Sequence, residues 1–569
     1  MALSFLSPRV LMVGVIAFLM SACMSAPETD GTDETQAAAE VVLSRQGYHL
    51  VAEWTLPLPV TQFTFQPDPM SVPERAAEWS ADAGIYAFDG YALSRRDGAA
   101  FDHFSLTILP AQKFYDRFYV PVARIGEEGW VVYGWAFAPE GQDVRIRVDG
   151  LTDDDIIYAH GDMLDADSEV DPSDSELIYF GPPQNVSQGV AGIVAGNDVP
   201  GWLHDRLDAE IKKAAIRFSE RYGVPPKESP VLVVTYSPEG EGRSWKGGSL
   251  GRFITMHLRG LALDPSSDDI LGQLTNLAAH ETAHVWLGQM FNATENDAQS
   301  WLHEGAAEYA ANRVWMSPDQ LVASADRALA ECRSLLGAAS LRDTEKASRG
   351  PAPYQCGLLV QLIADAAAHK AGTGDIFDIW ATVFEESVPD EEGRPSFDTA
   401  LFRSVAERFG GEAFGSRLDR LEEGLSEGGW REFAAGLSEL GIETEVLGPD
   451  DTPPDEPQLA IDVLVATLKD HCTGGYSIYG NPDHYFLDMG DRCAPPLNGG
   501  PRVAFVNGKS LVTAPREAYT AVRRSCAAGE PLVFAGPDGA ELAPISCGDQ
   551  LNALQTVISL RSLPAFGPV

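Results

Sequence analysis

The chain has 569 residues, 44% of them hydrophobic and 9% aromatic, and a formal net charge of -42. That length exceeds what one hydrophobic core holds and predicts several domains. The charge excludes nucleic acid as a partner, because phosphates are held by clustered Lys and Arg, and it predicts a strongly solvated surface.

The first predicted element is an export signal. Arg9 precedes the apolar run VLMVGVIAFLM, residues 10–20, which is short for a membrane span and has signal-peptide proportions. The run ends in MSAC, with small residues before Cys23. Residues 1–23 therefore resemble a bacterial lipoprotein signal, which implies a lipid on Cys23 and a membrane as partner. An ordinary cleaved signal peptide with an incidental Cys23 is the alternative. Met24 follows the cysteine, and by the same resemblance this favours the outer membrane, facing the periplasm. Residues 24–40, acidic and rich in small side chains, read as a tether with nothing to bury.

Residues 41–195 read as a β domain. VRIRVDG at 144–150 alternates apolar and charged residues, and WVVYGWAF and FTFQPDP carry β-branched and aromatic residues between turns. A β-sandwich is the expectation. From residue 196 the pattern turns to mixed α/β. WLHDRLDAEIKKAAIRFSERYG has helical spacing, VLVVTY reads as a buried strand, and RFITMHLRG reads as another. Residues 318–446 read as helical. LGPDDTPPDEPQ, 447–458, is a Pro/Asp linker. After it, 459–569 shows the order strand, NG turn, strand, helix, strand pair, which loosely resembles a PDZ module and implies a peptide ligand there.

Apart from Cys23, six cysteines remain, and an even count in an exported chain predicts disulfides. Proximity in sequence pairs Cys332 with Cys356, Cys472 with Cys493 and Cys526 with Cys547, although other pairings stay open. No CxxC pair stands in the chain, which argues against a thiolate zinc site.

The chemistry concentrates in HETAHVWLGQMF, from His280, and WLHEGAAEY, from Trp301. Helix positions four apart lie about 40° apart around the axis and about 6 Å along it, so His280 and His284 can reach one zinc ion. Glu281 lies beside them, placed to act on a water at that ion. A catalytic zinc needs a third protein ligand. Glu304 on the following helix offers it, and Glu308 one turn later suits a carboxylate that orients a ligand histidine. His303 is a rival third ligand.

Together these stretches resemble the paired signature of the gluzincin metallopeptidases related to aminopeptidase N, where HExxHxW precedes WLNEGFA. The spacing here is one residue longer, which leaves His303 a small claim. PYQCGLLVQL, 353–362, is similar to the family's PYEKG segment, and the resemblance implies that Tyr354 donates its hydroxyl to the tetrahedral intermediate. It also implies a multidomain α+β architecture: β domain, thermolysin-like catalytic domain over 196–317, then a helical domain. The PDZ-like end is similar to glycyl-aminopeptidase relatives. One departure bears on specificity. The family carries a G-x-M-E-N strand whose Glu holds the substrate's free amine. In KGGSLGRF, 246–253, Gly247 and Gly248 fit a strand that approaches substrate backbone, yet Leu250 or Gly251 stands at the place of that Glu. Glu239 and Glu241 could supply the carboxylate from the preceding loop.

The expectation is a zinc metallopeptidase of the cell envelope, with one Zn2+ per chain, peptide or protein substrates, Glu281 as general base and Tyr354 steadying the oxyanion. The reading from another class is a catalytically silent lipoprotein that serves as a peptide-binding or assembly module.

Overall fold

The computed structural model describes residues 38–66, 72–110, 121–171, 177–237, 244–259, 268–294, 300–342, 352–390, 393–447, 456–473, 477–488, 493–554 and 557–567. The expected signal segment with Cys23, nearly all of the tether, Glu239, Glu241 and most of the Pro/Asp linker lie outside them.

The strand alternation of the N-terminal region builds two large sheets and a small three-stranded one. Ala39–Gln46 and His49–Val60 form a hairpin through Gly47, whose φ of +62° is the left-handed conformation a tight turn requires. In His49–Val60 every second residue from Leu50 to Leu56 is buried. Strand Val144–Asp149 does the same with Val144, Ile146 and Val148, and pairs parallel to Ala39–Gln46. These strands belong to a six-stranded sheet, and Trp130 and Tyr179 lie in strands of a second, five-stranded one. One core fills both inner faces, centred on Trp54, which stacks on Phe104 at 4.8 Å and donates Nε1 to the Phe137 carbonyl at 3.0 Å. A short helix, α1 (Val72–Glu78), sends the buried Arg75 over Phe65 and Trp79.

The next sheet positions the site. Its strand order is Val186–Ser187, Gly192–Ala195, Val231–Ser237, Phe253–Arg259, Ser244–Leu250. Val231–Ser237 is parallel to both neighbours, and Ser244–Leu250 is an antiparallel edge. The expected boundary at residue 195 therefore falls too late, because the two strands before it pair into this sheet. One sheet face joins the sandwich core through Val231, Val233 and Phe253. The other, through Leu232, Ile254 and Met256, packs helices. Among them α2 (Gly201–Tyr222) buries Leu203, Leu207, Ile211, Ala214, Phe218 and Tyr222 at helical spacing and stops at left-handed Gly223.

Five further helices surround this layer: α3 (Asp268–Ala283), α4 (Trp301–Trp315), α5 (Pro318–Leu336), α6 (Ala352–Ala371) and α7 (Ile376–Glu386). Helices α8 (Thr399–Gly410), α9 (Glu412–Glu423) and α10 (Glu427–Leu437) complete the helical region. Start signals are chemical. Ser317 and Gln320 form a capping box on α5, and Asp375 caps α7.

The C-terminal module has its own core, with α11 (Glu456–His471), α12 (Pro515–Ala528), α13 (Asp549–Ala553) and two three-stranded sheets. Asn507 and Gly508 both have positive φ, which is why the NG pair turns Phe505–Val506 back onto Lys509–Ser510. The module does not run to the chain end, as 459–569 supposed. Strand Val557–Ser562 returns to pair with Glu443–Leu447, and it buries Ile558 and Leu560 in the core of the helical region. No helix among the described residues is long and apolar enough to cross a membrane.

Candidate metal centre

Two helices build the site. Asn276 and His280 on α3, and His284 in the turn that directly follows its last residue, are each four residues apart and form one stripe. On α4, Glu304 and Glu308 are also one turn apart. The helices run antiparallel: Glu308 meets Asn276 and His280, while Glu304 meets His280 and His284.

The Nε2 atoms of His280 and His284 lie 3.1 Å apart. Oε2 of Glu304 is 3.2 Å from His284 Nε2 and 3.4 Å from His280 Nε2. Tetrahedral zinc with bonds of about 2.0–2.1 Å sets its donors about 3.3 Å apart. The three atoms thus already have the spacing of one face of a zinc tetrahedron. Each imidazole is also turned the right way. His284 Nδ1 donates to the Leu287 carbonyl at 3.0 Å, and His280 Nδ1 stands 3.1 Å from Glu308 Oε2, so both Nε2 atoms face inward. The ligand atoms of His280, Glu281 and His284 lie within 4.8 Å of one another, and all three residues are buried.

Burial sets the electrostatics. It works against charge on His280, but the Glu304 and Glu308 carboxylates outweigh it and hold that imidazole's pKa well above its ordinary value. Burial likewise opposes charge on Glu304, and the two imidazoles outweigh it, holding the carboxyl well below its usual range. For Glu281, burial prevails over the neighbouring imidazoles and pushes its pKa up. His303 lies outside the triangle. Its Nε2 is 3.6 Å from Oε1 of Glu304, the oxygen turned away from the histidine pair, and burial lowers its pKa to about 4.

Glu281 faces the edge strand. A Cβ at Gly247 would come within 2.6 Å of Glu281 Oε1, so any larger residue would displace the Glu281 carboxylate from its place. Gly247 pairs with Met256 and Gly248 with Thr255. Alternation turns Gly247 toward the helices and Leu250 the other way, where Leu250 packs on the sandwich core. Gly251 sits in the hairpin turn with a φ of +57°. Neither puts a carboxylate beside Glu281. Gln289 braces this hairpin, accepting from Gly251 N at 3.0 Å and donating to Ser249 Oγ at 3.4 Å.

Tyr354 lies in the first turn of α6, its ring 5.7 Å from that of His280. Burial and the nearby carboxylates of Glu304, Glu281 and Glu308 raise its pKa, which keeps the hydroxyl protonated. Two devices place it. The Cys332–Cys356 disulfide ties α6 to α5, and Gly305 and Gly357 bring the backbones of α4 and α6 into contact that a Cβ on either would break. The other two bridges, Cys472–Cys493 and Cys526–Cys547, lie in the C-terminal module. Sequence reasoning missed Asn276 and Gln289. The helical period carries a signal for Asn276, one turn before His280; Gln289, in irregular backbone, has none.

No family model matches the chain, and no curated protein matches it in sequence. Solved structures do match. An aminopeptidase N family protein from Idiomarina loihiensis superimposes with a TM-score of 0.55 at 11% identity, covering 92% of this chain and 98% of that one. An M1 zinc metallopeptidase from Deinococcus radiodurans reaches a TM-score of 0.39 at 14% identity, covering 68% of this chain and 92% of that one. Over nearly its whole length, the chain therefore has a multidomain α+β fold similar to that of an aminopeptidase N family protein.

Proposed function

We propose that the chain is a zinc-dependent peptidase that hydrolyses peptide bonds in the cell envelope, with one zinc ion held by His280, His284 and Glu304. The observation that carries this reading is the triangle of donor atoms 3.1, 3.2 and 3.4 Å apart, with Glu281 buried beside it. When bound, zinc supplies Lewis acidity to a water and to the scissile carbonyl. Glu281 takes the proton of the attacking water and returns it to the departing amine. Tyr354 donates its hydroxyl to the carbonyl oxygen as negative charge develops, an interaction stronger in the transition state than in the substrate. Extended substrate backbone lies along the free edge of Ser244–Leu250, where Gly247 and Gly248 allow close approach. Lipid on Cys23 anchors the enzyme to the membrane, and the PDZ-like module takes a peptide ligand.

Turnover of a peptide library by the purified, zinc-loaded chain tests this reading. Glu281→Gln should keep about one zinc per chain and lose activity by about 10²–10⁴-fold, since an amide cannot accept the proton. A wild-type chain that holds zinc yet cuts no peptide would instead favour a silent binding module.

A further inference from the structure

We infer that Asn276 is a positioning residue of the zinc site, acting through Glu308 on His280. The inference rests on the zinc reading above and adds a residue to it.

The contacts form a ladder between antiparallel helices. Asn276 Nδ2 donates to Glu308 Oε1 at 3.3 Å. The other oxygen, Oε2, stands 3.1 Å from His280 Nδ1, an ion-pair contact, and Nδ1 has no better-aligned hydrogen-bond partner among the described residues. His280 Nε2 then completes the donor triangle with His284 and Glu304. Glu308 thus turns one oxygen to each neighbour.

The opposite end of the Asn276 amide shows which way it must point. Oδ1 is buried and has no hydrogen-bond partner among the described residues. Turning the amide over would set this carbonyl against the carboxylate, acceptor against acceptor. The carboxylate therefore selects the donor orientation, and the amide in return holds the carboxylate toward His280. A carboxylate on Nδ1–H fixes the tautomer that leaves Nε2 free as a ligand. An aspartate in place of Asn276 would fill the same space with no donor and a repelling charge.

The test is zinc affinity of the full chain, measured by competition with a chromophoric chelator, together with the His280 Nδ1–H resonance in nitrogen-edited NMR. Asn276→Ala should weaken zinc about tenfold, and Asn276→Asp about a hundredfold, the range expected for residues behind a ligand. The Nδ1–H signal should broaden or disappear in both variants. At saturating zinc, kcat should fall by far less than zinc affinity does, because Asn276 acts only through Glu308 on His280. The reversed pair Asn276→Asp with Glu308→Gln restores a donor facing an acceptor, with the carbonyl of the introduced amide left for His280. It should recover most of the affinity lost in Asn276→Asp, which a folding defect at 276 would not. Zinc bound equally tightly by wild type and Asn276→Asp, or no recovery in the reversed pair, would overturn the inference while the peptidase reading stands. A wild-type chain that binds no zinc would overturn both.

Discussion

A tyrosine hydroxyl that aids catalysis must stay protonated and must meet charge that exists only in the transition state. Tyr354 satisfies the first condition through burial among the Glu304, Glu281 and Glu308 carboxylates, all of which disfavour a phenolate. Its position in the first turn of α6, with its ring 5.7 Å from that of His280, sets it beside the donor triangle, where the proposed reaction would develop that charge. Tyr354→Phe should therefore lower kcat by about 10²–10³-fold, the loss expected for one oxyanion donor, with KM changed little. Steady-state kinetics on any peptide the wild type cuts reads this split. An unchanged kcat would leave the residue as packing alone. Gly247 illustrates the other side of residue-scale control: it does no chemistry, but its missing Cβ leaves room for the Glu281 carboxylate.

At the scale of elements, the proposed peptidase would sort its substrates at the edge strand. A peptidase that removes single N-terminal residues needs a buried carboxylate for the substrate's ammonium. Leu250 turns from the site into the sandwich core, and Gly251 turns the hairpin, so this stretch supplies none. Gln289, a neutral amide, braces the strand instead. Main-chain pairing along the strand needs no chain end. Peptides differing only in an N-terminal acetyl group should thus be cleaved at rates within about threefold, since neutral hydrogen bonds discriminate weakly between charged and capped ends. Cleavage abolished by the acetyl group would mean an amine anchor exists, and Glu239 and Glu241 would be its first candidates. The helices α3 and α4 were legible in the sequence because His280 and His284, and Glu304 and Glu308, are each spaced one turn apart. Cysteine pairing followed from nearness in the chain. The helical period puts Asn276 on the His280 face, but a lone Asn there looks the same whether it meets a carboxylate or water, so its role was not legible. Nor was the pairing of Glu443–Leu447 with Val557–Ser562, because a strand's own alternation does not name a partner beyond an intervening module.

That pairing matters for the whole molecule. The C-terminal module is held at both ends by one two-stranded ribbon, and the returning strand is part of the helical region's core. Ile558 and Leu560 are buried there, Leu560 N and Ser559 Oγ bond to Asp326 of α5, and Phe566 lies under Arg313 of α4. A chain ended at residue 447 should lose about 3–6 kcal/mol from the two aliphatic side chains alone, enough to unfold a marginal domain. Removing 456–554 instead, and joining the ribbon strands by a short turn, should retain the fold around His280, His284 and Glu304. Thermal unfolding of both truncations tests this. A chain ended at 447 that melts like the full chain would make the returning strand dispensable.

The seam between the module and the helical region also carries a carboxyl whose surroundings disfavour its charge. Glu331 of α5 is held near Asp462 and Lys469 of α11, with Arg327 on its own helix and Glu308 of α4 beyond. Lys469 Nζ reaches Ser334 Oγ at 3.4 Å, and Arg333 reaches the Ala553 carbonyl at 3.4 Å, so α5 is the surface on which the module sits. Burial, followed by Asp462, pushes the Glu331 carboxyl from 4.5 up to about 7, while Arg327 and Lys469 pull the other way. A carboxyl whose folded pKa is raised favours folding while protonated. Between pH 4.5 and 7 the unfolded chain has released this proton and the folded chain has not, so stability falls as pH rises across that window and levels off above it. Glu331→Gln removes the charge and keeps the shape. With zinc saturating throughout, the variant should match wild type near pH 4.5 and be more stable by about 1–3 kcal/mol at pH 8. Chemical denaturation of the pair at both pH values reads the difference directly. A variant less stable than wild type at pH 8 would mean that the ionised Glu331 holds Arg327 and Lys469 in place, and that the module docks on a salt bridge and not on a neutral acid.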